Sequence, residues 1–281
     1  MSLPLLIVSV SGGQSSMFMA RMLQIAYCLD FTLIFVFANT GQEDERTLEF
    51  VRRCGEEWGM NIVWLEAVID PIKRNGTEHR VVNFETADRT GAHFEQMIAK
   101  YGVPNRAYPH CNRELKLAPI YSYLKSIGLQ KGDFLMAIGI RADEPKRLRP
   151  KAEQLKIVYP LANWFPVDKI DVNDWWDEQS FRLGLKEHEG NCTWCWKKTL
   201  TKHLRLINER PNVLDFPDRM EKTYGNVRPG DFKQVMFREN RSAQDLLRMA
   251  KELHGAHIPV ADPDDDAGCG ESCDINDEIT A

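Results

Sequence analysis

Two short stretches carry the residue types that chemistry needs. Cys192-Thr193-Trp194-Cys195 sets two thiols three positions apart, the spacing at which both reach one zinc ion, one iron-sulfur cluster, or each other as a redox pair. Ser11-Gly12-Gly13-Gln14-Ser15-Ser16 follows an apolar run and opens a helical pattern. A strand that turns into a helix through glycine aims several backbone N–H groups at one point, and such a point holds phosphate. The glycines allow positive φ and close approach, while Ser11, Ser15 and Ser16 add hydroxyls. Of the remaining cysteines, Cys28 and Cys54 fall in helical patterns, where a buried structural role is expected. Trp175, Trp176, Trp194 and Trp196 are expected to fill a core or shield a cluster rather than stack on bases.

The elements that would position these residues alternate. Residues 5–10 read as a strand, the turn follows, and Met17, Phe18, Ala20, Met22 and Leu23 recur at helical spacing. Residues 31–38 read as a second strand, the acidic start Glu43-Asp44-Glu45 as a helix opening, and residues 61–66 as a third strand. Periodicity fades over residues 70–109, which predicts a long loop with a short helix at 94–101. A helix over 113–127, strands over 133–140 and 157–159, a helix capped near Asp171 or Asn173, and helices over 194–208 and 242–253 complete the pattern. Strands alternating with helices imply a parallel α/β sheet. Between the last strands lies a basic stretch with Lys146, Arg147, Arg149, Lys151 and Lys156.

With 281 residues, 43% of them hydrophobic, the chain can bury one substantial core plus an appendage. Residues 1–180 are expected to form the nucleotide domain, 181–260 a helical cysteine-bearing extension, and 261–281 a flexible acidic tail with Cys269 and Cys273. A net charge of −5 argues against coating nucleic acid by bulk electrostatics and leaves room for a local basic patch. The N-terminus lacks a basic flank, and no run approaches the ~20 apolar residues that span a bilayer, so a cytoplasmic protein with no membrane partner is expected. In that setting the cysteines are expected to be thiols, metal ligands or redox groups.

The glycine turn resembles the PP-loop signature Ser-Gly-Gly-x-Asp-Ser, with Ser15 where the aspartate stands, and within that superfamily the chain is similar to the phosphoadenosine phosphosulfate (PAPS) and adenosine phosphosulfate (APS) reductases. Ala38-Asn39-Thr40-Gly41 resembles the Asp-Thr-Gly element with Asn39 in place of the acid. Gly139-Ile140-Arg141-Ala142-Asp143-Glu144 with Arg147, and Tyr159-Pro160-Leu161-Ala162-Asn163-Trp164 with Asp171-Val172, follow in the family's order. The resemblance implies a Rossmann-like sheet of the adenine nucleotide α-hydrolase type, with nucleotide on Ser11, Gly12, Gly13, Gln14, Ser15, Ser16, Asn39, Thr40, Gly41, Gly139, Arg141 and Arg147. It also implies a 4Fe-4S cluster on Cys111, Cys192 and Cys195, with His110 where a fourth cysteine would stand. The fourth ligand stays open among His110, a tail cysteine and an open iron; zinc or free thiols are the alternatives to a cluster. Magnesium enters if the nucleotide is ATP.

Three functions follow from the resemblance. The leading one is reduction of APS or PAPS to sulfite and AMP or its 3′-phosphorylated form, with Cys269 as nucleophile and Cys273 or a thioredoxin-like partner as the second thiol. The second is ATP pyrophosphatase and sulfurtransferase chemistry that thiolates tRNA or the DNA backbone with sulfur from a donor, the one case with a nucleic-acid partner. The third is a non-catalytic nucleotide-sensing subunit of a modification or defence complex, suggested by the uncharged Ser15 and Asn39.

Overall fold

The computed structural model describes residues 3–72, 74–227 and 233–253. Strand β1 (Leu5–Val10) runs through the glycine turn into α1 (Gln14–Ala26); β2 (Thr32–Asn39), α2 (Glu45–Trp58) and β3 (Ile62–Ile69) repeat the unit. Then come β4 (Thr77–Val82), α3 (Ala92–Tyr101), α4 (His110–Asn112), α5 (Ala118–Ser126) and β5 (Phe134–Ile138). The chain continues through β6 (Ile157–Val158), α6 (Pro160–Asn163), α7 (Lys169–Asp177), α8 (Leu200–Glu209), α9 (Asp215–Tyr224) and α10 (Ala243–Glu252).

The six strands order as β4-β3-β2-β1-β5-β6. All neighbours pair parallel except β3 with β4. The parallel part therefore has the doubly wound order, in which ligands meet the carboxyl ends of the strands where the winding reverses, at β1 beside β5. This is a Rossmann-like, mostly parallel α/β sheet. β1 is apolar apart from Ser9 because both faces are covered: Leu6, Val8 and Val10 join a core with α1, α2 and α7, while Ile7 joins the opposite core with Leu124 of α5 and Ile138 of β5. A third core gathers Ala67 and Ile69 of β3 with side chains of α3, α8, α9 and α10.

Several boundaries differ from the sequence reading. The stretch 70–109 is not one long loop with a helix, for it contains β4, whose pattern Thr-Glu-His-Arg-Val-Val is polar because an antiparallel edge strand keeps half its surface in solvent. The helix expected over 113–127 starts at His110 and passes through a π-helical turn at Arg113–Leu117. The helix expected from Trp194 begins at Leu200, because the Thr199 side chain caps it by accepting from the Lys202 N–H, and the Cys-x-x-Cys stretch before it is a turn. Helix α9 is not among the expected elements; Pro217 lies in its first turn, where a missing N–H costs no intrahelical bond. Cys28 is exposed in the turn after α1, contrary to the expected burial, whereas Cys54 is buried in α2 and burial pushes its thiol up. Among the described residues no helix is long and apolar enough to cross a membrane.

Candidate functional site

The glycine turn is shaped by close contacts on both sides. Gly12 has φ +83°, and a Cβ there would lie 2.5 Å from Thr47 Cγ2 of α2. Gly139, just past β5, would place a Cβ 2.9 Å from Ser16 Cα, so only glycine lets the end of β5 lie against the first turn of α1. Ser16 braces the turn: its hydroxyl donates to the Gly13 carbonyl (2.9 Å) and accepts from the Ser11 N–H (3.1 Å). Trp176, fully buried on α7, donates from Nε1 to the Gln14 carbonyl at 3.1 Å. Gly13 caps α1 without a side-chain acceptor, and no acid stands in the first turn. The positive end of the helix is thus left uncompensated by its own side chains. Gln14 is buried at this point and its Nε2 has no hydrogen-bond partner; an orphaned buried donor at a helix N-terminus is what an anionic ligand would satisfy.

Arg141 reaches the turn from the loop after β5. Its Nη1 donates to Ser15 Oγ at 3.0 Å, and its Nε and Nη2 engage Asp143 at 2.9 and 3.3 Å. Ser15 is therefore a partner of this buried guanidinium. Arg147 pairs with Glu144, so both arginines are held by the carboxylates of their own loop.

The second element at the carboxyl edge is turned inward. Asn39 Nδ2 donates to Glu66 Oε1 (2.6 Å) and the Asp88 carbonyl (2.9 Å), and its Oδ1 accepts from the Gly41 N–H (3.1 Å). Thr40 donates from its N–H and hydroxyl to the Glu43 carboxylate at 2.9 and 2.8 Å. Asn39 and Thr40 thus shape the turn, and their side chains are engaged within the protein. His93 beside Asn39 and the Thr90 contacts keep Asp88 well below the usual carboxylate range although burial opposes this.

The Cys-x-x-Cys turn is strapped to both of these loops. The Asn191 carbonyl accepts from the Asp44 N–H (2.7 Å), Asn191 Nδ2 donates to the Ser11 carbonyl (2.9 Å), and the Thr193 N–H donates to the Gln42 carbonyl (3.0 Å). Trp194 Nε1 donates to Gln42 Oε1 at 2.6 Å, and Glu43 and Cys192 form an antiparallel bridge. From below, the buried Lys198 ammonium donates to the Cys192 and Thr193 carbonyls at 2.8 and 2.9 Å. The thiol turn and the phosphate turn therefore share a hydrogen-bonded frame.

A ring of four charges closes this frame. Arg46 contacts Asp44 (2.8 Å) and Glu189 (2.6 Å), and Arg210 at the end of α8 contacts the same two acids at 2.8 and 3.0 Å. Burial by itself would raise the Asp44 carboxyl, but hydrogen bonds from Arg46 and Arg210 outweigh it and bring the pKa down to about 2. On the far side of the turn, burial pushes His203 down to about 3, with Lys198 and Arg238 adding to the shift; its ring is edge-on to Phe237 and neither nitrogen has a hydrogen-bond partner.

The cysteine expectations are met unevenly. Cys111 and Cys192 pack against the third core, and Cys195 lies buried between Trp194 and Trp196 of that core. No disulfide joins the described cysteines. Among the described residues, however, no group of three or more His, Cys, Asp or Glu side chains is gathered to hold a metal ion. His110 sits between the rings of Tyr101 and Tyr108, with its Nδ1 3.2 Å from Arg113 Nη2. Cys111 and Cys192 thus lie on one core, while His110 is held between two tyrosine rings beside Arg113. Cys269 and Cys273 lie outside the described residues.

Sequence reasoning missed the residues that bring the two motifs together, namely Gln42, Asp44, Arg46, Glu189, Asn191, Lys198 and Arg210. Lys198 reaches back to Thr193 and Cys192 within its own turn, and the others act on partners far along the chain, which no local pattern shows.

No protein-family model matches the chain. A 117-residue stretch is 27% identical to the uncharacterized protein MJ0973 of Methanocaldococcus jannaschii, covering 42% of this chain and 22% of that one. Among solved structures, the U34-tRNA thiolase NcsA from Methanococcus maripaludis with its [4Fe-4S] cluster aligns over 100% of this chain and 82% of its own, at a TM-score of 0.41 and 17% identity. The uncharacterized nin region protein ORF290 of Escherichia phage lambda is 31% identical over 280 residues, 96% of this chain and 94% of its own. By that extent of shared sequence, the chain belongs to the family of phage lambda ORF290.

Proposed function

We propose that the protein is an ATP-using sulfurtransferase that holds the nucleotide phosphates on the Ser11–Ser16 turn and delivers sulfur through Cys192 and Cys195. The observation that carries this reading is the strap: Asn191 bonded to Ser11 and Thr193 bonded to Gln42 set a two-thiol turn directly against the phosphate turn. Two adjacent thiols suffice for sulfur delivery, one carrying the sulfur and the other releasing it.

The chemistry closes with these groups and a persulfide donor. An acceptor oxygen attacks the α-phosphorus of ATP and pyrophosphate leaves, which makes that oxygen part of an AMP leaving group. The helix α1 N-terminus stabilises the charge that builds on the phosphates. Cys192, half-buried, carries a sulfane sulfur from the donor as a persulfide. Its terminal sulfur attacks the atom that bears the activated oxygen, and AMP departs. Cys195 then attacks the Cys192 sulfur, so the acceptor leaves with a thiolate and a Cys192–Cys195 disulfide remains. An external dithiol reduces it. The two electrons that reduce the sulfane sulfur come from the cysteine pair.

Sulfonucleotide reduction is the second reading, favoured by Cys111 and Cys192 meeting on one core. One experiment separates the two. The protein is mixed with ATP, a persulfide donor and RNA or DNA as sulfur acceptor, or with APS or PAPS and a dithiol, and pyrophosphate, AMP, sulfite and sulfur in the acceptor are measured. Pyrophosphate from ATP that persists in Cys192→Ser, with sulfur transfer lost, supports the transferase. Sulfite from APS or PAPS without pyrophosphate from ATP overturns it in favour of the reductase.

A further inference from the structure

The connection from β5 to β6 is unlike the rest of the surface in how it treats its cations. Elsewhere the arginines are mostly matched: Arg46, Arg52, Arg80, Arg89, Arg210 and Arg219 each meet a carboxylate. In this connection the acids Asp143 and Glu144 are taken by Arg141 and Arg147, and Glu153 is the one further acid among four further cations. Lys146, Arg149, Lys151 and Lys156 then have no carboxylate partner among the described residues, within a protein whose net charge is −5.

These cations are held on a fixed ledge. Leu148, Ala152 and Leu155 pack against the core on the α5 side of the sheet, and the Arg149 N–H donates to the buried Tyr159 hydroxyl at 3.3 Å. The Lys156 carbonyl accepts from the Met136 N–H of β5 at 2.8 Å. Apolar side chains thus alternate with exposed Lys146, Lys151 and Lys156 and half-buried Arg149. The ledge starts at the phosphate turn, where Gly139 touches Ser16 and Arg141 bonds Ser15. Unneutralised cations spaced along a rigid connection suit a polyanion with repeated phosphates better than one small anion, because each phosphate contact releases a counterion.

We propose that the β5–β6 connection is a docking surface for a nucleic-acid backbone, and that it brings a nucleic-acid acceptor to the phosphate turn. The naming of that acceptor rests on the transferase reading, whereas the docking does not. The test uses the full-length protein, with fluorescence anisotropy against a structured RNA, a DNA duplex and a single-stranded DNA over a salt series, and ATP binding measured in parallel. The comparison is with the combined variant Lys146→Ala, Arg149→Ala, Lys151→Ala, Lys156→Ala, and with Lys151→Glu alone as a variant that leaves the anchoring residues untouched.

The wild type should bind at least one of the nucleic acids with steep salt dependence. The combined variant should bind at least ~10-fold more weakly, with the log–log salt slope reduced by about 3 to 4, at ~0.9 per lost phosphate contact on a duplex. Its ATP affinity should be unchanged. Lys151→Glu should weaken binding in the same direction. Nucleic-acid binding with no ATP binding would keep the docking surface and sink the transferase reading. Equal binding by wild type and both variants, no binding at about 50 mM salt, or a loss of nucleotide affinity in place of nucleic-acid affinity would each overturn the docking surface.

Discussion

The glycine turn and the cysteine turn sit in one frame but are held by different means. The glycine turn is fixed by its sheet and helix: β1 enters it, α1 leaves it, Gly12 and Gly139 remove the Cβ atoms that would collide, and Ser16 bonds back across it. The cysteine turn has no regular element of its own. It is held by Lys198 from just beyond the turn and by groups distant in sequence, with Gln42 and Asp44 on one side and Arg210 in the charge ring on the other. The first region should therefore fail as a unit when its backbone is disturbed, and the second should loosen by degrees as single ties are cut.

The largest effect is expected at Gly12. Alanine there would strain a residue at φ +83° and press on Thr47 Cγ2, a combined cost of about 2 to 5 kcal/mol. Denaturant melts should show that loss together with loss of nucleotide binding. Wild-type stability with intact binding would break the claim that backbone geometry rules this side.

Next comes a pH effect on the helical side. Glu221 is buried on α9, where its carboxylate accepts from the Met236 and Ala243 N–H groups, and burial pushes its pKa up from the ordinary 4.5 to about 7. Between these values the folded protein keeps a proton that the unfolded chain has released. The associated stability is complete below about 4.5 and declines as pH rises through 7, by an amount on the order of 3 kcal/mol at ~1.4 per unit. Asp44 has the opposite sign: held down to about 2, it contributes stability above its ordinary value near 3.8, which fades as pH falls toward 2. Melts of wild type and Glu221→Gln from pH 4 to 8 should show the slope in the first and a flatter profile in the second. Parallel profiles would refute this assignment.

A smaller effect is expected from Arg210→Ala. Arg46 still meets both acids, and the side chain lost is partly solvated, so the cost should be about 1 kcal/mol. The informative readout is thiol accessibility: alkylation of Cys192 should quicken while nucleotide affinity holds, and Arg210→Lys should restore part of the protection. Unchanged alkylation would remove the charged ring from the positioning of the turn. The smallest effect belongs to Cys28→Ser, since that thiol is exposed in a turn; stability should stay within ~0.5 kcal/mol of wild type.

The difference between the regions explains what could be read in advance. The strands at 5–10, 31–38, 61–66 and 133–140 were legible because buried parallel strands are nearly continuous apolar runs, and the glycine turn because glycine between strand and helix is a local signature. β4 was illegible because an edge strand keeps a polar pattern. The Cys-x-x-Cys spacing flagged thiol chemistry, yet spacing alone carried no sign that Asn191 would bond Ser11 from 180 residues away.

The sequence by itself determined the alternating α/β order, the phosphate-shaped turn at Ser11–Ser16 and the two thiols at Cys192 and Cys195. Only the tertiary structure decided that Asn39 is engaged with Glu66 and Asp88, that Ser15 partners Arg141, and that the thiol turn lies on the phosphate turn. The division follows from range. Backbone conformation and apolar period depend on neighbours within a few residues, whereas a hydrogen bond or charge ring depends on which distant groups the packed cores bring within about 3 Å of each other.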